Sequence, residues 1–173
     1  MISILNHLGS HGPFILIILS IYLLWDHKIL LFYYVIGIFV NMILNIILKG
    51  IIQEPRPIFD DKKVSLAVTH AKRFFYQNGV PFDLFGMPSG HAQSSFFSTI
   101  FIYLALRKMN ITYIYLALTI LTCIQRVLSN YHSINQVIVG SFIGSLFAFF
   151  MYYLTEKKLQ GKIRVKPDDN GPI

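Results

Sequence analysis

Cysteine is almost absent from this 173-residue chain: Cys123 is the single one, and it lies inside an apolar run. An intrachain disulfide and a thiolate metal cluster are therefore excluded. No set of Asp, Glu, His and Cys has the spacing of a metal site either. Charge is scarce as well. Only 13% of residues are charged, 8 acidic against 15 basic, for a formal net charge of +7. Apolar residues make up 54% of the chain, and mean hydropathy is +0.57. That balance excludes an ordinary soluble domain and points to membrane spans. The positive charge then fits anionic lipid headgroups or a phosphorylated substrate, and nucleic acid is not an expected partner. The first apolar run has no basic region before it, so no cleavable signal peptide is expected. No internal repeat is visible.

What the chain has in quantity is apolar sequence. Five runs stand out, at residues 13–25, 29–48, 92–106, 111–128 and 134–154. The second is 20 residues without a charge, about 30 Å as a helix, which matches the hydrocarbon core. The first is short for a span, and the residues before it could extend it. The expected fold is an all-α polytopic membrane bundle of about five transmembrane helices. Residues 1–154 form the membrane domain, and residues 155–173 form a polar tail with Lys157, Lys158, Lys162, Arg164 and Lys166. Asn41 and Asn45 lie one turn apart and are expected to face other helices. Gly140 and Gly144 make a small-xxx-small face for close helix packing.

Residues 50–87 form the one long polar connection, broken by Pro55, Pro57 and Pro81. Within it Val64, Val68, Ala71 and Phe75 recur at helical spacing beside Lys62, Lys63, Lys72 and Arg73, which predicts a short amphipathic helix on the membrane surface, with a plain solvated loop as the alternative. With a cytoplasmic C-terminus, five spans put Lys28, Arg107 and Lys108 on the same side, as the positive-inside tendency asks. The long connection then falls on the extracytoplasmic or lumenal face, and its own basic residues run against that assignment.

Gly86-Met87-Pro88-Ser89-Gly90-His91 opens directly into the third run. Ser89 is in place for an N-cap, and Gly90 lets backbone approach a ligand. A helix N-terminus there suits an anion, and His91 titrates near neutrality. Two further clusters fall at the same leaflet: Lys49 with Arg56, and Arg126 with His132 and Gln136. Three cations, two histidines and a turn rich in N–H donors are what metal-free phosphoryl transfer requires. His132 and Gln136 are four apart, so the Gln136 amide oxygen can accept from the ring if a helix starts by His132.

Lys49-x6-Arg56-Pro57, Pro88-Ser89-Gly90-His91 and Arg126-x5-His132, in this order and spacing, resemble the three-part signature of the type 2 phosphatidic acid phosphatase superfamily. The resemblance covers roughly residues 29–154. Gln125 stands where the family usually has Ser, and Gln136 where it usually has Asp. The dolichyldiphosphatase branch is similar around residues 52–57, 86–89 and 131–137 and also carries Gln at the last position. The resemblance implies that His132 is the nucleophile, forming a phosphohistidine, and that His91 protonates the leaving group and then activates water. It implies that Lys49, Arg56 and Arg126 bind phosphate oxygens, assisted by Ser89 and the Gly90 N–H, without a metal or cofactor. The implied substrate is a polyprenyl diphosphate within membrane lipid, cleaved to the monophosphate plus phosphate. A phosphatidate phosphatase and a non-catalytic lipid-phosphate binder remain as alternatives. Tyr131 reads as an interfacial aromatic. His7, His11, His27 and His70 match no motif.

Overall fold

The computed structural model describes residues 2–70, 72–77 and 80–161. Its elements are α1 (Ile2–Leu23), α2 (Lys28–Ile52), α3 (Asp61–Thr69), β1 (Phe74–Gln77), β2 (Val80–Asp83), α4 (Gly90–Leu106), α5 (Met109–Leu128) and α6 (Ile134–Leu159). Each of the five expected runs is a helix. α2, α5 and α6 are long and apolar enough to cross a membrane by length and composition. Their outward faces carry large apolar side chains such as Phe39, Ile43, Ile120, Phe142 and Leu146, as a helix in lipid requires. The chain is an all-α membrane bundle.

Helix α4 lies at the centre and packs against α1, α2, α5 and α6. Its aromatic side joins the core: Phe97 and Phe101 meet Tyr34 of α2 at ring distances of 5.8 and 5.4 Å. Its polar side is buried too, and each hydroxyl–hydroxyl pair crosses to another helix. Ser98 Oγ lies 2.8 Å from Tyr34 Oη, and Thr99 Oγ1 lies 2.7 Å from Thr119 Oγ1. Such pairs satisfy groups that have no water to turn to. The glycine face of α6 is used as expected: a Cβ at Gly140 would overlap the Ser89 backbone, and one at Gly144 the Gln93 carbonyl.

The helix ends extend past the apolar runs. α1 continues back to Ile2 with Pro13 inside it, and Gly9 and Gly12 let it close onto Gln125 and Thr122 of α5. α6 runs on to Leu159, into the expected polar tail, whose residues 162–173 lie outside the described ones.

The long connection departs from expectation. The amphipathic helix forms as α3 but stops at Thr69. Ala71 lies outside the described residues, and Phe75 belongs to a strand instead. β1 and β2 form an antiparallel hairpin with Phe74 opposite Asp83 and Gln77 opposite Val80. Aromatic residues on both sides of Asn78-Gly79 are a strong hairpin pattern, and it outcompetes the helical spacing. Ala67, Leu84 and Phe85, with Phe59, Val64 and Phe75 against them, form a second small core under the hairpin.

Candidate active site

The C-terminus of α2, the start of α4, the end of α5 and the start of α6 meet at one end of the bundle. The proline-rich segment after α2 has few donors for a regular ladder, so it pairs only briefly with residues 84–86. Gly86 N donates to the Glu54 carbonyl at 2.7 Å, and Arg56 N to the Leu84 carbonyl at 3.1 Å. Lys49 Nζ donates to the Phe85 carbonyl at 3.1 Å. Arg56 Nε donates to the Asp83 carbonyl at 2.7 Å. The Asp83 carboxylate in turn pairs with Arg73 at 3.0 Å, and Arg73 reaches the Ile46 carbonyl of α2 at 2.8 Å. Arg73 thus staples the hairpin to the bundle, which gives one of the connection's basic residues a structural reason.

Asn41 and Asn45 are buried, as a polar pair within an apolar run should be. Asn45 Nδ2 donates to the Pro88 carbonyl at 3.1 Å and to Gln93 Oε1 at 2.8 Å, and Gln93 Nε2 donates to Asn41 Oδ1 at 2.9 Å. This network fixes the turn ahead of α4. Ser89 holds the N-cap position without capping: its Oγ is buried and has no partner among the described residues. Its N–H is taken by the Gln136 carbonyl at 2.9 Å, so it is not free for an anion. His91 Nε2 lies 3.1 Å from the Ser10 carbonyl of α1. A carbonyl only accepts, so the proton sits on Nε2.

After α5 the chain turns through Asn130 at φ 56°, a value Asn tolerates. Tyr131 N and His132 N both return to the Arg126 carbonyl, which brings His132 back under the helix end. The Arg126 guanidinium lies 4.3 Å from the centre of the Tyr131 ring, so this aromatic packs against one of the expected cations. His132 Nδ1 is 3.0 Å from Gln136 Oε1, and His132 Nε2 is 2.9 Å from Arg56 Nη1. Arginine only donates, and the amide oxygen only accepts. The proton is therefore on Nδ1, and the Nε2 lone pair faces Arg56. His132 is 2% exposed. Burial first, then the positive charges of Arg56, Arg126 and Lys49, push its pKa down to about 2, against the Gln136 hydrogen bond.

A cavity of about 760 Å³ opens beside these groups and is lined by Lys49, Arg56, Arg126, Tyr131 and His91. The structure thus gathers four of the expected residues on one surface. His132 lies just behind Arg56 rather than on the wall, and Ser89 is buried away from it. Gly90 lines a neighbouring cavity of about 360 Å³ with Phe14, Ile17, Met42 and Ile46. The far wall of the first cavity was not legible as part of a site: Asn6, His7, Ser10 and His11 of α1. Gln125 holds α1 there, donating to Asn6 Oδ1 at 2.7 Å.

A model of the PAP2 superfamily matches residues 30–160, and the match includes every expected site residue. The chain belongs to the PAP2 superfamily. It is 30% identical over 128 residues to the dolichyldiphosphatase of Saccharomyces cerevisiae, covering 68% of this chain and 48% of that protein. The chain thus spans about half the length of that relative. No solved structure matches at a significant level. Gln136 lies within the matched residues and places an acceptor on His132. Helix α1, which closes the cavity, lies outside the match.

Proposed function

We propose that this PAP2 protein is a membrane phosphatase that removes the terminal phosphate of a polyprenyl diphosphate without a metal. The observation that carries the reading is the tautomer of His132. Its unprotonated Nε2 accepts from Arg56 beside a cavity with three cations, so the lone pair becomes available to a phosphorus atom once a phosphate oxygen draws Arg56 away. Arg126 Nε is buried without a partner among the described residues, and a phosphate oxygen is a natural acceptor for it.

The His132 Nε2 lone pair forms a bond to the terminal phosphorus while the bond from phosphorus to the bridging oxygen breaks. That oxygen takes a proton from His91 in its imidazolium form, which the anionic substrate favours, and leaves as the lipid monophosphate. The phosphorylated ring keeps its Nδ1 proton, now cationic, against Gln136 Oε1. Water then attacks the phosphorus, gives a proton to His91, and the N–P bond breaks to release phosphate. Lys49, Arg56 and Arg126 neutralise the equatorial oxygens throughout. Gln136 Oε1 gives His132 an acceptor, which favours this reading over a non-catalytic binder.

The size of the cavity supports a diphosphate. The bridging oxygen must come to His91, and His91 sits against Ser10, so the second phosphate would lie along the wall of Asn6, His7, Ser10 and His11. The apolar cavity adjoins there through shared Ser10, His11, Asn45, Ile46 and His91 and suits a hydrocarbon tail. The test is phosphate release by detergent-purified protein from a polyprenyl diphosphate, its monophosphate, phosphatidate and a soluble phosphate ester. The diphosphate should be cleaved fastest and in excess chelator. Preference for phosphatidate would move the reading to the glycerolipid alternative, and release from none would leave a lipid-phosphate binder.

A further inference from the structure

The Gln136 side chain uses all four of its hydrogen-bonding positions. Oε1 accepts from His132 Nδ1 at 3.0 Å and from Ser133 N at 3.3 Å. Nε2 donates to the Glu54 carboxylate at 2.8 Å and to the Pro55 carbonyl at 2.9 Å. The residue is 1% exposed, and a Cβ at Gly86 would overlap its amide. An amide turned over would set its oxygen against two acceptors and its NH₂ against the Ser133 N–H. The two acceptors on segment 54–55 therefore decide which end of the amide His132 meets.

We infer that Glu54 is a positioning residue for His132, acting through Gln136. The line runs from the Glu54 carboxylate to the Gln136 amide to the His132 ring. It differs from an Asp–His pair in that the negative charge sits one side chain farther back. The carboxylate holds and polarises the amide, so Oε1 is a better acceptor for the Nδ1 proton. That matters most when phosphorylation makes the ring cationic. A neutral glutamine at position 136 thus keeps part of the support that a carboxylate in direct contact would give. The inference rests on the proposed role of His132 as nucleophile.

The test uses the full chain in detergent, labelled with ¹⁵N-histidine, with the His132 resonances assigned by their loss in His132→Ala. Wild type should show the Nδ1–H tautomer. Glu54→Gln keeps an acceptor and should stay within about three-fold of wild-type kcat, with the same tautomer. Glu54→Ala should lose the tautomer preference and about ten-fold or more in kcat, with little change in KM. Gln136→Glu alone sets two carboxylates at hydrogen-bond distance and should be at least as impaired. Glu54→Gln combined with Gln136→Glu restores a donor facing an acceptor and should recover most of kcat, a non-additive rescue that mere loss of structure would not give. Should Glu54→Ala fail to fold, this exchange carries the test. A wild-type tautomer and kcat in Glu54→Ala, or additive losses in the exchanged pair, would overturn the inference. The spectra are read on the protein alone, so they test Glu54 even if the phosphatase reading fails in the release assay.

Discussion

Arg56 Nη1 lies 2.9 Å from His132 Nε2, so one guanidinium both lines the cationic cavity and caps the nitrogen proposed to attack. A phosphate oxygen that draws Arg56 toward itself would uncap Nε2 by the same movement. Arg56 is anchored for this at Nε by the Asp83 carbonyl and at Nη1 by the Tyr131 carbonyl at 3.2 Å. A lysine keeps the charge but has no fork of donors with which to hold both carbonyls and a phosphate. Arg56→Lys should therefore lower kcat/KM by about 100-fold, near the loss for a misplaced reacting group. Rapid-quench measurement of phosphoenzyme formation checks it; a burst as fast as wild type would show that the fork is not needed.

The two histidines should separate by leaving group. His132→Ala should form no phosphoenzyme, since His91 Nε2 carries its proton against the Ser10 carbonyl of α1 and has no lone pair there with which to attack. His91→Ala should slow cleavage of an alkyl phosphate or diphosphate by about 100-fold or more, within the range for lost acid catalysis. It should slow an aryl phosphate with an activated leaving group much less. Equal losses across leaving groups in both variants would remove the assignment.

The helices were legible because an apolar run of span length has few other uses. Asn41, Asn45, Gly140 and Gly144 were legible because a polar or small residue within such a run has to face protein. The three motifs were legible from their spacing. The hairpin was not, although Asn78-Gly79 signals it, because Val64, Val68 and Phe75 also fit a helix. The Arg73–Asp83 pair depends on that hairpin and went with it. The α1 wall carries no motif, and its polar face shows only once Gly9 and Gly12 dock the helix against α5. Glu54 was visible in the sequence as a neighbour of Arg56, but its contact with Gln136 spans 82 positions.

Burial and the charges of Arg56, Arg126 and Lys49 hold the pKa of His132 far down, so the nucleophile stays neutral at mildly acidic pH. Gln136 contributes a hydrogen bond but no charge. Gln136→Asp brings a negative charge to the ring, which favours imidazolium and raises the pKa. The attacking form needs the lone pair, so the acid limb of kcat/KM should move to higher pH, and Gln136→Ala should lose about ten-fold or more at every pH. An unmoved acid limb in the aspartate variant would show that this limb does not report His132.

The catalytic face is proposed to be extracytoplasmic or lumenal. Ser65 on α3 is exposed on the side of the long connection, and Gln160 follows α6 at the other end of the bundle. In a Cys123→Ser background, a cysteine at Ser65 should react with an impermeant thiol reagent applied from that face, and one at Gln160 should not. Reversed labelling would place the site in the cytosol.

The final prediction concerns α1, which lies outside the PAP2 match yet supplies one wall of the cavity. Asn6, His7, Ser10 and His11 recur at one face of a helix that from Phe14 onward is apolar but for Ser20. His11 Nδ1 is 3.0 Å from the His7 carbonyl, so its proton is on Nδ1. A second phosphate along this wall can accept from the Asn6 amide, the Ser10 hydroxyl and the His7 ring, with His11 packed beside them, while a monophosphate seated among Lys49, Arg56 and Arg126 is not expected to use them. The His7→Ala, His11→Ala double variant should therefore lower the ratio of kcat/KM for a polyprenyl diphosphate to that for the monophosphate by about ten-fold, the size of one or two bonds to a charged group. The measurement is that ratio, so a general loss of folded enzyme cancels from it. An unchanged ratio would mean that α1 closes the cavity without reading the second phosphate.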